Sequence, residues 1–290
     1  MFLYDHLISP FAEFEFMRRA LVGVLALAVG AGPVGVLLML RRMSLMGDAM
    51  AHAILPGAAV GYLWSGLSLV AMTTGGLIAG LAVALVAGGV ARATELKEDA
   101  SLAALFLVSL ALGVAIVSLR GNNVDLLHFL FGSVLALDND ALMLVAAIST
   151  VSLTTLALIW RPLVLESVDP GFLRSVSGAG GPAHIVFLAL VALNLVGGFQ
   201  ALGTLLAVGI MIIPAVVSRF WSRDLTAMIM IAVAAGILSG YSGLLLSFHS
   251  GLPAGPAIIL IAGVFYCGSV LFGRCGGLLR QFLPARHLEA

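Results

Sequence analysis

The sequence predicts an all-α, polytopic membrane protein, and three observations carry that prediction. Apolar residues make up 61% of the 290-residue chain and charged residues only 10%, against about 25% charged in a soluble domain. Mean hydropathy is +1.16. The apolar residues also fall into runs of about 20, the length that crosses a hydrocarbon core as a helix. No water-soluble core of this size needs so much apolar surface. A single membrane-embedded unit is expected over residues 1–290, with its core over about 16–273. Formal net charge is zero, so there is no global basic field of the kind that attracts nucleic acid.

Taken in order, the expected spans are 20–40, 44–64, 68–91, 100–119, 141–160, 183–199, 201–218, 225–247 and 255–273. Arg18 and Arg19 before the first run resemble a signal-peptide start, but the run leads into many similar ones and reads as the first membrane helix. The segments 183–199 and 201–218 are separated only by a glycine-rich break, and form either a tight helical hairpin or one broken element. The count is therefore eight or nine. Gly76-x-x-x-Gly80 and Gly236-x-x-x-Gly240 place small residues where helices approach closely. Cys267 and Cys275 show no metal or redox spacing.

Two stretches fit neither a span nor a short loop. Val124–Leu137 is apolar but too short to cross, and reads as a re-entrant or interfacial helix on the outer side. Asp138 and Asp140 after it are placed to cap the next helix. Arg161–Pro182 is the longest cytoplasmic connection. Its Asp169-Pro170-Gly171 is a turn or helix-start signal, followed by Phe172, Leu173 and Val176 at the spacing of a short amphipathic helix on the cytoplasmic face. With the Arg41–Arg42 side in the cytoplasm, 11 of the 14 basic residues fall inside, and only Arg18, Arg19 and Arg120 fall outside. That bias puts the C-terminus in the cytoplasm.

The chemistry concentrates in the second span, in the stretch RRMSLMGDAMAHAILPG, Arg41 to Gly57. Asp48 and His52 are four residues apart and share one helix face. Counting about 1.5 Å per residue from the interface at Arg42 puts His52 near the middle of the bilayer. An aspartate there costs about 2.5–3.5 kcal/mol on insertion scales, so it must face protein or a water-filled path. Pro56 has no N–H and leaves the His52 carbonyl without its helical partner, which predicts a kink beside the pair. A hydrogen bond that packs helices and a polar site on an ion path both fit this stripe. As an ion site, Asp with His suits a borderline divalent metal: zinc, manganese or ferrous iron. Two ligands are too few for one ion, but a two-fold dimer would present four.

Elsewhere, Asp125 and His128 lie in the outer segment, where they could admit metal or make an interfacial hydrogen bond. Asn194 and Gln200 sit in the broken pair, placed to satisfy freed backbone groups or to line a path. His249 is expected in an outer loop. His6, His184 and His287 make no case for a metal. Nothing in the chain matches a P-loop: the only lysine, Lys97, has no glycines before it, so ATP would have to be hydrolysed elsewhere. No HExxH set supports a membrane metalloenzyme.

The Arg41–Gly57 stretch resembles the signature of the metal-cation permease family, the membrane subunits of bacterial zinc, manganese and iron ABC importers. NVDLLHFLFGSVLAL, LLAVGIMIIPAVVSR and LPAGPAIILIAGVFY are similar to further family segments in the same order, so the likeness runs from about Phe16 to Gly273. The resemblance implies a multi-pass homodimer in the bacterial inner membrane. Its partners would be two ATPase subunits, an extracytoplasmic metal-binding protein and membrane lipid, with no nucleic acid. It implies that the chain is not itself an enzyme and holds no permanent cofactor. Asp48 and His52 match the motif associated with the metal path. Glu166, Asp169, Pro170, Gly171, Phe172 and Leu173 fall in the stretch that matches the coupling helix docking on the ATPase. The reading is an ATP-dependent importer with zinc favoured, then manganese or iron. The competing reading is a secondary metal transporter or channel with no ATPase.

Overall fold

The computed structural model describes residues 6–66, 68–95, 98–118, 134–168, 177 and 180–281. Regular structure among them is entirely helical. In chain order the helices are α1 (Ser9–Glu13), α2 (Glu15–Leu40), α3 (Ser44–Ala53), α4 (Leu55–Ser65), α5 (Leu69–Ala93) and α6 (Glu98–Ser118). A 3₁₀ turn at Val134–Ala136 precedes α7 (Asn139–Leu158), α8 (Trp160–Val168), α9 (Gly180–Leu202) and α10 (Thr204–Arg219). The chain then forms α11 (Leu225–Ser250), α12 (Ala254–Phe272) and α13 (Leu278–Gln281). Six of these, α2, α5, α7, α9, α11 and α12, are long and apolar enough to cross a membrane; Ala100–Ile116 in α6 and the whole of α10 are shorter apolar helices.

Helices α2 and α9 form the centre. Each is 72% buried over its apolar window, against 28–39% for the other four. Helix α2 packs on α7, α9, α10 and α11, and α9 on α2, α5, α7, α8 and α10. A membrane protein gains nothing by hiding apolar surface from lipid, so close fit must hold the bundle. The glycines supply that fit. Gly76 and Gly80 receive the side chain of Ile54, and Gly236 and Gly240 receive Ala28 and Val24 of α2. Both small-residue pairs thus pack helices within the chain. A closer crossing than either is one the spacing did not flag: Gly57 of α4 against Gly75 of α5, where a Cβ added to either would overlap the other's carbonyl.

Several boundaries differ from expectation for identifiable reasons. Helix α2 begins at Glu15, because Arg18 reaches back to the Ala12 carbonyl at 2.9 Å and Arg19 pairs with Glu15 one turn earlier. The second span passes from α3 into α4 at Ile54, where the backbone stays right-handed helical and Ile54 N–H to Met50 O at 3.2 Å and Ala58 N–H to Ile54 O at 3.1 Å are still made. The 183–199 and 201–218 segments are two helices packed on each other and joined by a single residue, Gly203, at φ 93°. The connection from Arg161 opens as helix α8, with Pro162 in the first turn, where its missing N–H is no loss. His249 lies in the last turn of α11, which runs on until Gly251 ends it in the left-handed conformation. Asp138 caps α7 as expected, accepting from the Ala141 N–H at 2.8 Å. Most of Val124–Leu137, including Asp125 and His128, lies outside the described residues.

Gly57→Ala should destabilise the bundle by about 1–3 kcal/mol, because the new methyl meets backbone that cannot rotate away. Gly89→Ala, with no atom in reach of its Cβ, should instead stabilise by up to about 1 kcal/mol through helix propensity. Thermal unfolding of the two variants in detergent, followed by intrinsic fluorescence, checks both signs.

Candidate metal site

Helix α3 is ten residues long and divides cleanly into two faces. Met46, Ala49, Met50 and Ala53 are buried in the core, and the helix packs on α5, α6, α9 and α10. Asp48 and His52 occupy the other face. The Asp48 side chain is 64% exposed and the His52 side chain 31%, with Asp48 Oδ1 3.8 Å from His52 Nε2. That separation is too long for a hydrogen bond. It is within the span of two donors on one ion whose bonds are each about 2.1 Å long. The pair is therefore not a closed internal contact: both donor atoms remain available on the outer face of the chain.

The imidazole is held by its neighbours rather than by hydrogen bonds. Its ring lies nearly parallel to Phe106 of α6, centroids 6.2 Å apart. Nδ1 is buried and finds no hydrogen-bond partner among the described residues. Among the described residues no group of three His, Cys, Asp or Glu side chains comes together, so the described part of the chain brings only this pair to the site.

Both ends of α3 are built to hold it in place. At its C-terminal end the helix breaks at Ile54, two residues ahead of Pro56, which becomes the first-turn proline of α4. The Ile54 side chain seats in the groove of Gly76 and Gly80, which fixes the position of the break. The Ala53 carbonyl at the break accepts a hydrogen bond from the Ser109 hydroxyl of α6 at 3.0 Å. At the N-terminal end, α2 closes with Met43 N–H to Leu38 O and Arg42 N–H to Met39 O, both 3.0 Å. This is a Schellman ending with Arg42 at the left-handed position, φ 60°, where glycine is usual.

Arg41, at the end of α2, is the principal feature that sequence reasoning missed. Its side chain is only 7% exposed and meets Glu166 of α8, itself 15% exposed, at 3.1 Å. It also donates to Ser167 Oγ at 3.0 Å and the Leu163 carbonyl at 3.3 Å, and lies 3.3 Å from His184 Nδ1. Its guanidinium covers the Phe187 ring of α9 at 4.3 Å. These partners are more than 120 residues away in sequence, and no local pattern announces them. Glu166 thus turns inward to an ion pair. Asp169, Pro170, Gly171, Phe172 and Leu173 lie outside the described residues. Asn194 donates to Ser152 Oγ of α7 at 2.7 Å and to the Leu190 carbonyl at 2.8 Å, and Gln200 accepts from Thr73 of α5 at 2.6 Å, so both bridge helices through side chains and Asn194 also takes a backbone carbonyl.

The model of the ABC 3 transport family matches residues 13–273. The chain belongs to that family. The manganese transport system membrane protein MntC of Halalkalibacterium halodurans is 29% identical over 289 residues, 99% of this chain and 96% of that one. The manganese import system permease protein ScaB of Streptococcus parasanguinis is 30% identical over 259 residues, 89% of this chain and 91% of that one. Among solved structures, PsaBC from Streptococcus pneumoniae in complex with Fab superposes with a TM-score of 0.84 at 27% identity, covering 96% of this chain and 99% of that chain. The protein is thus a multi-pass membrane subunit of a metal-cation ABC permease, and ATP hydrolysis belongs to a separate subunit.

Two consequences for stability follow from the ends of α3. Ser109→Ala removes the partner of the Ala53 carbonyl and should cost about 1 kcal/mol. Arg42→Gly relieves the left-handed strain and should stabilise by about 1 kcal/mol. Thermal unfolding in detergent should move in opposite directions for the two.

Proposed function

We propose that this permease carries manganese from an extracytoplasmic binding protein into the cytoplasm, driven by two ATPase subunits, and that Asp48 and His52 are the residues that meet the ion in transit. The observation carrying this reading is the pair itself. Two metal-ligating side chains stand 3.8 Å apart on one exposed face of a membrane helix, in a chain of a metal-permease family.

A second copy related by two-fold symmetry would bring a second Asp48 and His52 to the same axis and complete four ligands. The ion is cargo, and the arrangement suits brief occupancy. A neutral imidazole that binds through Nε2 carries its proton on Nδ1, and in His52 that N–H would be buried with no acceptor among the described residues. A ligating histidine normally gives that proton to a carboxylate or carbonyl, which strengthens its hold on the metal. Without that partner the ion is held less firmly, as conduction requires.

Asp–His chemistry admits zinc, manganese and ferrous iron, and from residues alone zinc came first. Relatives named for manganese transport move manganese ahead of zinc and iron. Family membership likewise supports an ATP-driven importer over a secondary transporter or channel. On this reading the protein is a homodimer in the bacterial inner membrane with its C-terminus in the cytoplasm. It forms one permease unit over residues 1–290. Metal enters past Asp125 and His128, Pro56 sets the helix break beside the ion path, and the connection from Glu166 through Asp169–Leu173 couples to the ATPase.

The test reconstitutes the chain with its ATPase and binding protein in liposomes and titrates manganese, iron and zinc. Manganese-loaded binding protein should stimulate hydrolysis and uptake best. Asp48→Ala and His52→Ala should each cut uptake by at least about tenfold. A doubly substituted protein that is expressed normally and still transports normally would remove the site assignment.

A further inference from the structure

We infer that Arg41 is a positioning residue that ties both stems of the connection between α8 and α9 to the helix carrying Asp48 and His52. Movement of that connection would thereby change the metal site. The inference rests on the reading of the chain as an ATP-driven importer whose α8–α9 connection receives the ATPase.

The geometry joins three parts. On one side, the Arg41 guanidinium binds the last turns of α8 through the Leu163 carbonyl, Glu166 and Ser167, immediately before residue 169. On the other, it lies against His184 and over the ring of Phe187 in the opening turns of α9. The two stems are therefore held by one planar group. Glu166 also faces His184, at 3.7 Å, so the stems contact each other beside it. A guanidinium makes such contacts at fixed angles, so the stems cannot shift relative to each other without turning or releasing it.

Arg41 passes any displacement to α3 through very little chain. Only Arg41, Arg42 and Met43 separate α2 from α3, and that turn is pinned by the two Schellman hydrogen bonds. At its far end α3 is separated from α4 by the break at Ile54. Helix α3 carries Asp48 seven residues beyond Arg41 and is held at its far end by Ile54 and the Ser109 contact, so a displacement of the turn tilts the helix about that end and moves the face that holds Asp48 and His52.

The experiment measures manganese uptake and phosphate release in the same proteoliposomes, containing this chain, its ATPase and its binding protein. The readout is metal moved per ATP hydrolysed. Arg41→Lys keeps the charge but loses the planar fork, and should lower that ratio by about tenfold. Should Arg41→Lys fail to assemble, Arg41→Met/Glu166→Met removes both charges together, a replacement that buried ion pairs tolerate, and should lower the ratio likewise. A purely structural clamp would reduce uptake and hydrolysis in proportion, leaving the ratio at its wild-type value, and that result overturns the inference. Wild-type protein showing no ATP-dependent uptake at all would overturn the importer reading, and this inference with it. Coupled wild type with an unchanged variant ratio overturns this inference alone.

Discussion

Inside a hydrocarbon layer there is no water to take up a stray carbonyl or N–H, and this constraint governs the structure at every point where a helix stops being regular. Where α3 gives way to α4, a serine from a neighbouring helix takes the Ala53 carbonyl. At the interface, where α2 turns toward α3, the chain likewise bonds to its own last turn and accepts a left-handed arginine to do so. Where α9 turns into α10, Gly203 makes the bend while its N–H still reaches the Phe199 carbonyl at 3.0 Å. Irregular backbone is expensive in this setting, and two of these three breaks bound the helix that carries Asp48 and His52.

That association gives the fold its functional shape. A continuous membrane helix would have put Asp48 and His52 in register with everything above and below them. Splitting the span produces a short helix whose inner face is fixed by Met46 and Met50 in the core and whose outer face bears the metal-type donors. The central pair, α2 and α9, provides the rigid background, and each contributes to the Arg41 cluster at one end.

Much of this was legible in the sequence, and the limits are physical. Local spacing is enough to place Asp48 and His52 on one face, to make Asp138 a helix cap, and to mark the 183–218 region as broken. Proline chemistry correctly signalled a disturbance near residue 56. Local spacing could not show that the Ile54 side chain at this point seats against Gly76 and Gly80, since that contact comes from packing on another helix. Arg41 read as an ordinary interfacial cation, since its partners Glu166, Ser167 and His184 become neighbours only through packing of α2 on α9 and of α9 on α8. His184 looked unremarkable for the same reason: it is a partner to another side chain, not a ligand.

The crossing of α4 and α5 carries a different kind of consequence. At Gly57 and Gly75 each residue occupies the space that a side chain on the other would need, and the obstacle is backbone on both sides. Neither position can drift by trading volume with its neighbour, because both already hold the smallest residue available. Gly57 directly follows Pro56, so this frozen pair sits beside the end of the helix that carries Asp48 and His52. Over evolutionary time the protein can revise its lipid-facing surface freely, while the alignment of that helix stays anchored to two residues that have nowhere to go.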